Sequence, residues 1–146
     1  MTAKYTAQEV AKYVVSQCYS SERPVDNLKL QKMLYFLWID YYKGGRGVLF
    51  DDRIEAWKYG LVIPAVYMKY RSFIADPICV VEKDGLDQLD RDFLFPLVER
   101  YNRRSSASLV RETHEAGSPW YKAYKNGDGM REVIPYGDII SFLESK

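Results

Sequence analysis

The stretch Asn27–Lys43, NLKLQKMLYFLWIDYYK, decides the fold. A surface helix keeps a polar face, whereas the residues from Met33 to Ile39 are apolar almost all round, which marks a helix buried on every side. The spacing predicts a helix over 27–43, capped by Asp26 or Asn27 and ended by Gly44 and Gly45. The apolar run is far shorter than the roughly 20 residues needed to cross a bilayer. Lys32 and Asp40 flank it, so it reads as the central helix of a globular core.

Working outward, Thr6 and Glu9 have the spacing of a capping box, and Ala7, Val10, Ala11, Val14, Val15 and Cys18 follow at helical period. After the central helix, Gly44, Gly45, Arg46 and Gly47 resemble a phosphate loop only superficially. No Gly-Lys-Ser/Thr follows, and these glycines leave a helix where a phosphate cradle would enter one. From Arg53 to Tyr59 a short strand is expected, with Glu55, Trp57 and Tyr59 on one face and Ile54 and Ala56 on the other. Pro64 suits the first turn of a helix that ends before Pro77, and Ile78–Glu82 is the expected partner strand. Asp87, Asp90 and Asp92 open a further helix that Arg100, Arg103 and Arg104 close, the charge order a helix dipole favours. Pro96 should kink or split it near residue 95. Ser105, Ser106 or Ser108 can cap a helix reaching about Glu115, and Asp138–Glu144 forms the last. The expectation is an α+β, predominantly helical fold: one domain over 1–146, with five to seven helices around helix 27–43 and a small two- or three-stranded sheet.

Composition narrows the function classes. With 47% hydrophobic residues the chain can build a core, and 21 basic against 20 acidic residues leave a net charge of +1, too little to draw it onto nucleic acid or an anionic membrane. Arginines near residues 100–111 are interleaved with Glu99, Glu112 and Glu115, a mixed face that also argues against nucleic-acid binding. Met1 is followed by no apolar leader, and Cys18 and Cys79 stand far apart without a CxxC, so a cytoplasmic protein with two buried, inert thiols is expected.

Catalytic chemistry finds little to use. His114 is the sole histidine and falls at the end of a predicted helix, where it can serve the helix terminus; its alternative role is in a small enzyme with Glu55. The spacing of His, Cys and Asp fits no metal site, and no cofactor is expected. The distinctive feature is aromatic: 13 Tyr, 6 Phe and 3 Trp, side chains that give large contact area at low entropic cost and so suit a binding surface.

The segments LKLQKMLYF (28–36), IEAWKYG (54–60), IPAVY (63–67), THEAGSPW (113–120) and IPYGDII (134–140), in this order and spacing, resemble the Panacea antitoxin domain, the family of phage-associated GepA-like and SocA-like proteins. The chain departs from the family's usual pattern at Leu61, where a proline commonly follows the glycine, and at Asp40 and Tyr41, where a Trp-His pair is common. The resemblance implies a type II antitoxin that binds and neutralises a cognate toxin, encoded on a phage or other mobile element, with no enzymatic activity. SocA-like members instead act as adaptors that deliver a toxin to a ClpXP-type protease. Trp57, Tyr59, Tyr67 and Trp120 are the residues expected to meet the partner.

Overall fold

The computed structural model describes residues 2–146. Among them it has seven α-helices and a three-stranded antiparallel sheet, an α+β and mostly helical architecture as expected. Helix α1 (Ala7–Ser20) carries the full capping box, Thr6 and Glu9 each bonding the other's backbone N–H. Helix α2 spans Asn27–Lys43, the expected range; Asp26 caps it by accepting from the Lys29 N–H at 2.8 Å. Its far end closes through bonds from Gly45 N to Tyr42 O and from Arg46 N to Tyr41 O, the paired pattern of a helix stop. Leu30, Met33, Leu34, Leu37 and Trp38 are buried on successive faces, and α1, the helices Pro64–Tyr70, Gln88–Asn102 and Ser106–Thr113, and the strand Gly60–Val62 all pack on α2.

The sheet has the order β2-β1-β3, with β1 Glu55–Trp57, β2 Gly60–Val62 and β3 Glu132–Val133. The partner of β1 is therefore the segment directly after it, and Ile78–Glu82 is not a strand. Its alternating burial is real, but its backbone bonds go elsewhere: Ile78 N donates to Val25 O, and Glu82 N to the Ser16 hydroxyl of α1. It crosses the helices instead of pairing.

Helix α3 (Pro64–Tyr70) starts at the proline, and α4 (Gln88–Asn102) continues through Pro96, so of the kink or split expected near residue 95 the split does not occur. The proline leaves the Asp92 carbonyl without its helical donor, but both residues lie on the exposed face, where the carbonyl is open to solvent. Helix α5 (Ser106–Thr113) is capped by Ser105 and ends two residues short of the expected Glu115. Helix α6 (Pro119–Tyr124) was not expected, and α7 (Tyr136–Glu144) closes the chain. The two thiols differ: Cys18 is buried, which pushes its pKa up to about 12, while Cys79 is exposed, contrary to expectation.

One polar hub ties α4 to α2 and to the N-terminal segment. The Asp90 carboxylate is buried and accepts from Tyr5 Oη at 2.6 Å and Tyr41 Oη at 3.1 Å, and it ion-pairs with Lys4 at 2.8 Å and Arg46 at 3.0 Å. Burial alone would raise its pKa; the bonds from Lys4, Tyr5, Arg46 and Tyr41 outweigh that and hold it well below the usual carboxylate range.

Candidate functional site

Strands β1 and β2 are joined by Lys58 and Tyr59 alone, with Trp57 pairing with Gly60. Gly60 has φ +111°, and a Cβ there would stand 2.7 Å from Lys32 Cε and 2.9 Å from Thr113 Oγ1. The hairpin backbone thus lies directly on α2 and α5, a contact only glycine permits. Tyr59, at the turn, projects outward and is 60% exposed.

Helix α3 is aligned beside this hairpin by a chain of amides. Asn27 Nδ2 donates to Tyr67 O at 3.1 Å, Gln31 Nε2 to Asn27 Oδ1 at 2.9 Å, and Ile63 N to Gln31 Oε1 at 2.8 Å. The Tyr67 ring consequently meets Trp57 edge to face, with centroids 4.9 Å apart. From the other side, Arg131 N bonds Ala56 O at 2.6 Å, and the Arg131 guanidinium sits 4.5 Å from the centre of the Trp57 ring, a cation–π contact.

These elements enclose an open groove of about 360 Å³, walled by Leu28, Trp57, Tyr59, Val62, Tyr67 and Met130. Leu28, Tyr59 and Met130 are exposed apolar side chains, and here they gather around one depression. Aromatic and methionine side chains around a concavity are the composition of an interface centre.

Three of the four residues expected at a binding surface, Trp57, Tyr59 and Tyr67, therefore share this groove. Trp120 does not line it. It is 7% exposed, donates its Nε1–H to Trp57 O at 2.7 Å, and stacks on His114 with centroids 3.6 Å apart. It braces the groove from beneath.

His114 ends α5 as expected, but not as a cation on the helix dipole. Burial and the nearby Lys32 charge lower its pKa, so the imidazole is mostly neutral at pH 7, and its buried Nε2 has no hydrogen-bond partner. Glu55 accepts from Trp57 Nε1 at 3.0 Å and ion-pairs with Arg53 Nε at 2.9 Å. Neither residue lines the groove. Among the described residues, no group of three or more His, Cys, Asp or Glu side chains comes together to hold a metal, and no helix is long and apolar enough to cross a membrane.

Sequence reasoning missed Lys32. Read as a charged boundary of the apolar run, it is instead fully buried at the groove floor, its Nζ donating to Leu61 O at 3.1 Å. Burial lowers its pKa to about 7, against a small opposing pull from Asp26. Helical phase was the available signal, since Lys32 lies four residues after Leu28 and three before Tyr35, on a side of α2 that is not solvent.

Antitoxin SocA of Caulobacter vibrioides (strain NA1000 / CB15N) is 28% identical to this chain over 136 residues, covering 84% of this chain and 72% of that protein. No solved structure matches. The family model described as Antitoxin SocA-like, Panacea domain matches residues 30–121, which run from α2 through the hairpin to Trp120 and Tyr121. The chain belongs to the SocA-like antitoxin, Panacea domain family.

Proposed function

We propose that residues 1–146 form one antitoxin domain of a type II toxin–antitoxin system, which works in the cytoplasm by binding a toxin protein encoded beside it. Trp57, Tyr59 and Tyr67 make the contact and Trp120 holds them in place. The observation that carries this reading is the open aromatic groove, whose Trp57, Tyr59 and Tyr67 lie within the region matched by the family model. Aromatic anchors at the centre of an interface supply most of its binding energy, and the groove presents them pre-positioned by α2, α3 and the hairpin. The role is one of binding, not of catalysis, and the gene pair is carried on a phage or other mobile element.

Co-expression tests this. The adjacent gene's product arrests growth when expressed alone, and the wild-type chain restores it while Tyr59→Ala with Trp57→Ala does not. A product that is harmless alone, or that stays toxic beside the wild-type chain, overturns the proposal.

A second reading is delivery of the toxin to a ClpXP-type protease, which needs a second contact surface. Helix α4 offers one: Phe95 is exposed and lines a separate cleft with Arg23, Pro96 and Arg103, and Leu89 is 74% exposed. Toxin half-life separates the two readings, because an adaptor shortens it and a pure blocker leaves the toxin abundant.

A further inference from the structure

The groove contains something an apolar contact does not require. Lys32 lies at its floor, fully buried, with one hydrogen bond to the Leu61 carbonyl. An ammonium carries three donors, and among the described residues no carboxylate closes on this one; the Asp26 charge acts on it only from a distance. A buried amine without a counter-ion costs folding energy that a methionine of similar length would not. Stability therefore gives no reason for a lysine here.

The surroundings share its sign. None of the groove-lining residues is acidic, and Lys58 stands on the rim with its Nζ 5.4 Å from the Tyr59 ring centre. Arg131 covers the adjoining face of Trp57. The nearest acid on the hairpin, Glu55, is already occupied by Arg53 and the Trp57 indole. The result is an apolar trough with a basic amine at its floor and positive charge at its lip.

We propose that this groove takes a segment of the partner protein that inserts an apolar side chain beside an aspartate or glutamate, whose carboxylate pairs with Lys32 Nζ while Lys58 and Arg131 attract it from the rim. The proposal rests on the reading of the groove as the toxin-docking surface and adds the chemistry of what docks there. On binding, the Lys32 side chain turns from the Leu61 carbonyl toward the groove, a rotation its four-carbon stem allows. The incoming carboxylate supplies the counter-ion the fold withholds, so the pair forms only in the complex. Opposed charges at the rim speed encounter, and the desolvated pair slows release.

The test is calorimetric titration of the full chain with the purified product of the adjacent gene, at low and high salt. Lys32→Met preserves volume and should fold at least as well as wild type, so lost binding cannot be ascribed to unfolding. Lys32→Met and Lys58→Glu should each weaken binding by about tenfold or more and flatten its salt dependence, while Lys83→Glu, beside a different cleft, leaves it unchanged. If Lys32→Met and Lys58→Glu bind as wild type but Tyr59→Ala does not, the acidic segment is wrong and the docking surface stands. If Tyr59→Ala also binds as wild type, or the product does not bind the wild-type chain, the docking surface fails and the inference with it. A chain that dimerises alone, and whose dimer Tyr59→Ala breaks, makes the groove a contact between copies and overturns the proposal.

Discussion

The indole N–H of Trp120 donates to the main-chain carbonyl of Trp57 at 2.7 Å, so a buried residue of α6 holds the strand that carries an exposed aromatic wall. Trp120→Phe retains a ring to stack on His114 and removes only the donor. It should cost about 0.5–1.5 kcal/mol, a fall in melting temperature of about 1–6 °C, and weaken partner binding although residue 120 barely meets solvent. An unchanged melt in calorimetry would show that the bond does not hold the strand.

Acid should loosen the chain through Asp90. Its folded pKa lies below its unfolded value, so the unfolded state binds the proton first as pH falls. The stability it contributes is complete above about pH 4 and drains away below that, toward the depressed folded value. Asp90→Ala, which leaves Tyr5, Tyr41, Lys4 and Arg46 without their common acceptor, should cost about 1–3 kcal/mol at pH 7 and flatten the acid limb of a denaturant-midpoint against pH curve.

Lys32 gives the opposite slope. Its folded pKa of about 7 lies below the ordinary lysine value of 10.5, so between those values the unfolded chain holds a proton that the folded chain lacks. The contribution from this residue thus rises with pH across that window and is least at pH 7 and below. Lys32→Met should raise stability at pH 7 by about 1–4 kcal/mol and remove that rise, measured by urea melts at pH 7 and pH 10.

Gly129 admits no side chain. A Cβ there would fall 1.8 Å from the Ala123 carbonyl oxygen, so Gly129→Ala must push the turn away from α6. About 1–3 kcal/mol is expected, together with a shift of Met130 and Arg131 that alters Trp57 fluorescence. Unaltered emission would mean that the turn accommodates the methyl group without moving the guanidinium off the indole.

Much of the fold is legible in the sequence because its signals are local. The Thr6–Glu9 box, the Asp26 cap and the glycine pair after Lys43 bound α1 and α2 at the residues where the periodicity starts and stops. What failed depended on distant partners. The alternation at 78–82 is that of a strand, yet Ser16 and Val25 satisfy its backbone; Gly60–Val62 and Glu132–Val133 are too short to carry a period at all. Helix α6 has six residues and no repeat to detect, which hid the inward position of Trp120. The groove was partly legible, since IEAWKYG and IPAVY lie close together in the chain, but Met130 arrives from a turn more than sixty residues later. Lys32 was misread because a charge beside an apolar run is usually its solvated edge.

The contrast between the two thiols makes the chain easy to tag. Cys18, sealed in the core with its proton held, will resist a maleimide, whereas Cys79 lies open on the segment that crosses α1. A single dye should therefore attach at residue 79 without mutagenesis. Unfolding would then announce itself as the uptake of a second label.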